Sequence, residues 1–114
     1  MSKVALVRCE SYEYDSVKRS IERGVSLIGG LSLFVQKGEN ILLKPNILVG
    51  DAPEKCVTTN PAVFKAVIEI LINAGANVTY GDSPAIGKTL KAAKKAGLTQ
   101  VADEFNIKLA DFKT

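Results

Sequence analysis

Six residues of this 114-residue chain have types and spacing that could do chemistry: Lys44, Asn46, Thr58, Thr59, Asp82 and Ser83. Lys44 and Asn46 follow the apolar run Ile41-Leu42-Leu43 on either side of Pro45, and proline ends a strand because it has no amide hydrogen for the ladder. Thr58 and Thr59 stand before Asn60-Pro61, which reads as a helix start, where free backbone amides favour negative charge. Asp82 and Ser83 follow the β-rich run Asn77 to Tyr80, and Asp82 could hold a metal or accept a proton. A cation, free amides and small hydroxyls gathered at one place would bind a small anionic group, a phosphate or a carboxylate. The plainer reading is that Thr59 and Asn60 cap their helix and Asp82-Ser83-Pro84 makes a turn. The chain has no histidine, so the commonest general base and metal ligand are missing and no catalytic residue is assigned.

Other stretches carry weaker signals. Gly81 to Thr89 resembles a phosphate-binding loop, but five residues separate Gly81 from Gly87 where the motif has four, and Asp82 would repel a phosphate. Lys88, Lys91 and Lys95 form one stripe of a helix, with Lys94 to the side; such a stripe is either an anion-binding face or a solvated surface. Cys9 and Cys56 are half of a zinc or cluster site at most and read better as small buried apolar residues.

The elements that must position these residues follow from the apolar pattern. Lys3 to Cys9 reads as a first strand. Asp15 or Ser16 caps a helix whose stripe is Val17, Ile21, Val25 and Ile28, with Lys18, Arg19, Glu22 and Arg23 facing water, and Gly29-Gly30 ends it. Leu31 to Val35 is a packed connector with room for a short helical turn. Ile41 to Leu43, apolar at every position, reads as a strand buried on both faces. A long loop over 47–59 leads to the Asn60-Pro61 helix, apolar around much of its circumference and therefore the most buried one. Strand Asn77 to Tyr80, helix Gly87 to Ala96, a shorter helix Thr99 to Phe105 and strand Ile107 to Phe112 complete the order. Such alternation predicts a three-layer α/β domain of Rossmann-like or flavodoxin-like type, a parallel sheet of about four strands with helices on both faces. Its strand carboxyl ends share one edge, where open α/β sheets bind ligands. Arg8, Cys9 and Glu10 would join that edge.

Composition is that of an ordinary folded protein, 46% apolar and 24% charged. A net charge of +3 biases the chain weakly toward anions and falls short of a nucleic-acid footprint. No amino-terminal signal precedes the first strand, no apolar run would span a membrane, and two cysteines without CxxC spacing fit a reducing cytoplasm. The expectation is a cytoplasmic single domain over 1–114 that engages neither nucleic acid nor membrane.

Four strings occur in order: Val4-Ala5-Leu6-Val7-Arg8-Cys9-Glu10-Ser11-Tyr12, Leu42-Leu43-Lys44-Pro45-Asn46, Val57-Thr58-Thr59-Asn60-Pro61 and Gly81-Asp82-Ser83-Pro84. Together they resemble the opening of domain-of-unknown-function family 362. The resemblance implies the amino-terminal part of a longer α/β domain. It also implies redox work, because many longer members carry a ferredoxin segment with two four-iron (4Fe-4S) clusters and are labelled iron-sulfur cluster-binding proteins. The cluster cysteines are absent from this chain, so no cofactor is carried over to any residue here. The family usually has histidine where this chain has Asn60, and often glycine where it has Ala85. Two readings follow: binding of a small anionic ligand at the sheet edge, or a non-enzymatic module that presents its edge to a second copy or to a ferredoxin-like partner.

Overall fold

A computed structural model describes residues 2–46, 59–81 and 97–109. Helix α1 spans Tyr14–Leu27, a 3-10 turn spans Leu31–Leu33, strand β1 spans Asn40–Leu43 and helix α2 spans Pro61–Asn73. Strand β2 spans Asn77–Tyr80, helix α3 Leu98–Glu104 and strand β3 Lys108–Leu109. The sheet order is β1-β2-β3 with both pairings parallel. This is an α/β fold, with three strands among the described residues. The expected helix over 87–96 and the strand beyond residue 109 lie outside them.

Helix α2 organises the rest. Asn60 caps it, its side-chain oxygen accepting from the Ala62 amide at 2.9 Å, and Pro61 occupies the first helical position where its missing amide costs nothing. Gly75 turns the chain away with φ of +88°, and a side chain there would collide with Lys37 at 2.8 Å. The Gly75 carbonyl accepts from the Gly38 amide at 2.8 Å, which sets the starts of β1 and β2 side by side. From there the register runs Asn40 to Asn77, Leu42 to Thr79, and Leu43 to Tyr80.

Phe64 and Ile68 of α2, Tyr80 of β2, and Leu98, Val101 and Ala102 of α3 form one buried cluster, with Leu43, Phe105, Ile107 and Leu109 packed against it. The Phe64 and Tyr80 rings meet at 5.3 Å, tilted by 59°, the offset geometry that aromatic quadrupoles favour. Ile68 and Leu98 are fully buried, and each contributes about 1.5–3 kcal/mol by leaving water. Leu43, Tyr80 and Leu109 share one row of the sheet and one neighbourhood, so α2 and α3 cover the same face. The opposite face carries Asn40, Leu42, Asn77, Thr79 and Lys108, all exposed. A second helical layer, expected from the sequence, is not among the described residues.

Four expectations are corrected. Among the described residues β1 is covered on one face and not on both, since Leu42 is 49% exposed. Lys3 to Cys9 is not a strand: it forms no ladder with a described strand, and Val4 and Leu6 are 92% and 95% exposed. Its alternation is real, since Ala5 and Val7 are half-buried, and Val7 lies 3.6 Å from where a Gly24 side chain would begin. Alternation makes a strand only when a neighbour supplies the hydrogen bonds. Cys9 is exposed rather than buried, because it sits on that surface segment. Asp15 and Ser16 do not cap α1; they lie in its first turn behind Glu13, and Asp15 favours the helix through the dipole instead.

A polar tie fastens the three helices. Glu69 of α2 accepts from the Tyr14 hydroxyl and, at 2.7 Å, from the Lys18 ammonium, both on α1. Lys65 sits 4.6 Å over the Tyr14 ring and 3.6 Å from Glu104 of α3. The hydrogen bond from Lys18, and next that from Tyr14, holds the Glu69 carboxyl below its ordinary range; the same bond to Glu69 raises Lys18. Burial, followed by the bond to Glu69, pushes the Tyr14 hydroxyl well up. A carboxyl lowered in the folded state stabilises fully above its ordinary range, and the contribution disappears as pH falls through the folded value. Glu69→Gln is therefore expected to melt at a lower temperature than the parent at neutral pH, with the gap narrowing at a pH below the ordinary carboxylate range. Thermal unfolding at both pH values checks this.

Candidate functional site

The strand carboxyl edge is closed by two hydrogen bonds between its exit and re-entry. The Asn46 amide donates to the Thr59 hydroxyl at 2.9 Å, and the Thr59 amide donates to the Asn46 carbonyl at 2.9 Å. This reciprocal pair holds the residue after Pro45 against the residue before the α2 cap. Pro45 is buried, so the chain leaves the strand over an apolar pivot while Lys44 and Asn46 on either side stay exposed. The Gly81 amide donates to the Leu43 carbonyl at 3.0 Å, which brings the exit of β2 to the same edge.

A groove of about 180 Å³ opens here, lined by Leu43, Lys44, Pro45, Thr59, Phe64 and Val67. The structure thus brings together Lys44, Asn46 and Thr59, three of the six residues singled out in the sequence. Thr58, Asp82 and Ser83 lie outside the described residues, as do Cys56, the lysine stripe and the loop from Asp82 to Thr89. The Thr59 hydroxyl accepts from the Asn46 amide, and a hydroxyl also has one hydrogen to donate. Lys44 supplies charge, and the amino end of α2 adds the positive end of its dipole. That arrangement can hold and orient a small anion. Among the described residues no group of three or more histidine, cysteine or acidic side chains could hold a metal ion.

The residues after the predicted first strand lie against α1. Arg8 pairs with Glu10 at 3.0 Å, and the Cys9 thiol donates to the Ser11 carbonyl at 3.2 Å. Val7, Cys9, Glu10, Ser11 and Tyr12 line a cavity of about 450 Å³ with Val17, Ser20 and Ile21 of α1 and Val63 in the first turn of α2. Sequence reasoning missed the Tyr14, Lys18, Lys65 and Glu69 tie. Its signal was present, since Lys65 and Glu69 are charges one turn apart on a helix otherwise apolar nearly all round.

The chain belongs to the family described as domain of unknown function (DUF362), whose model matches residues 41–114. It is 34% identical over 113 residues to the thylakoid-associated protein sll1697 of Synechocystis sp.. That match covers 99% of this chain and 35% of the relative, so the chain spans about a third of the relative's length. No solved structure matches significantly. Among the described residues, no helix is long and apolar enough to cross a membrane.

Thr59→Val removes the acceptor of the Asn46 amide at nearly constant volume. We expect a loss of about 1 kcal/mol in unfolding free energy, read by urea denaturation. The Asn46 amide should also exchange faster with solvent deuterium.

Proposed function

We propose that this domain binds a small anionic ligand at the carboxyl edge of its sheet. Lys44 contacts the anion, Asn46, Thr58 and Thr59 orient it, and Asp82 and Ser83 complete the edge from the end of β2. The observation that carries this reading is the reciprocal Asn46 and Thr59 pair, which holds two polar residues beside the Lys44 groove at the start of α2. Asn46 takes part through its backbone amide and carbonyl, and Thr59 through its amide and hydroxyl, so the pair sets where both side chains stand. In the longer proteins of the family, the domain would serve an iron-sulfur redox protein as its ligand-binding part, in the cytoplasm.

The test is isothermal titration with inorganic phosphate, pyrophosphate and oxalate. A charge-assisted hydrogen bond contributes about 1.5–3 kcal/mol, so Lys44→Ala should weaken the preferred anion by tenfold or more. Unchanged binding of every anion that the parent binds would overturn the reading.

A second reading is an assembly module, for a ferredoxin-like partner or a second copy of this chain. It is favoured by Val4 and Leu6, which stand almost wholly in solvent where folded proteins rarely leave adjacent apolar residues. The likeness to a protein named as thylakoid-associated supports it too. It predicts concentration-dependent dimers in analytical ultracentrifugation, or a stable complex with an added ferredoxin. Leu6→Asp should abolish either one while leaving anion binding at Lys44 intact.

A further inference from the structure

A groove of about 700 Å³ lies against α1, adjoins the 450 Å³ cavity through Val7, Cys9, Glu10, Ser11 and Ser20, and shares no residue with the groove at Lys44. Arg19 and Arg23, one helical turn apart, line it together with Arg8 from the amino-terminal segment. The Ser20 hydroxyl donates to the Arg8 carbonyl at 3.4 Å and so fastens that segment to the helix. Three guanidinium groups thus meet one carboxylate, Glu10, which Arg8 already engages at 3.0 Å. No described carboxylate pairs with Arg19 or Arg23. Like charges one turn apart destabilise a helix unless something neutralises them. The Ser16 hydroxyl, also in the groove, is turned to Glu13 at 3.0 Å, so Glu13 is occupied within its own turn.

We propose that this groove recognises the phosphate group of a phosphorylated ligand, with Arg19 and Arg23 as the grip and Arg8 drawn from Glu10 on binding. Guanidinium forks match phosphate oxygens two at a time, which a carboxylate with two oxygens cannot exploit from three sides. The phosphate can belong to a free phosphate ester or to a phospholipid headgroup. Glu10 acts as the occupant in the ligand's absence, a weak one because its pair with Arg8 is exposed to water.

The test follows backbone amide shifts of the whole chain by NMR during titration with glycerol 3-phosphate in one arm and phosphatidylglycerol vesicles in the other. Phosphatidylcholine vesicles serve as the control. Shifts are expected at Arg8, Arg19 and Arg23 in at least one arm, and which arm responds identifies the source. Arg19→Gln with Arg23→Gln, both on the helix surface, should weaken that response by about tenfold or more, with unchanged circular dichroism. Glu10→Gln should strengthen it by about twofold or more, because Arg8 is released. Lys44→Ala should leave the groove response unchanged, so failure here and failure at the sheet edge are told apart. No shift in the groove in either arm, or an undiminished response in the arginine double variant, overturns the proposal.

Discussion

The packing of one side of α2 onto the sheet is the constraint on which the rest of the structure depends. Ile68 and Phe64 reach Tyr80 on β2 and the buried face of α3, and Leu43 and Leu109 close the row on either side. Each strand has only two to four residues among the described positions, and ladders so short are marginal without a covered face. The sheet therefore exists because α2 lies on it. The polar side of the same helix does a second job, since Glu69 and Lys65 fasten α1 and α3 to it.

The candidate site inherits its geometry from that packing. Once α2 is seated, its amino end stands beside the end of β1, and Asn60 and Thr59 are held there by the cap and by the exchange with Asn46. Lys44 then has a fixed frame next to a small groove. The arrangement follows from the right-handed connection of parallel strands, which brings each strand's carboxyl end to the start of the next helix. Positive charge and free amides converge at that edge as a consequence of topology.

Membership of the DUF362 family and the 34% identity to a Synechocystis protein place the chain among longer relatives. Leu42 on the outer sheet face, and Val4 and Leu6 on the amino-terminal segment, are exposed.

Several features were decided by the sequence alone. Asn60-Pro61 and Gly75 set the ends of α2, Gly29-Gly30 the end of α1, and Leu42-Leu43-Lys44-Pro45-Asn46 the end of β1, because caps, fixed φ angles and missing amides act between chain neighbours. The placing of Lys44, Asn46 and Thr59 at one edge was legible for the same reason, through the order of strands and helices. Only the tertiary structure decided that Lys3 to Cys9 forms no ladder with a described strand, that Cys9 is exposed, that Glu69 joins Tyr14 to Lys18, and that Arg8 lies beside Arg19 and Arg23. Each of these depends on a partner distant in the chain. A pattern along the chain states what a segment can do, and a neighbour in space decides whether it does it.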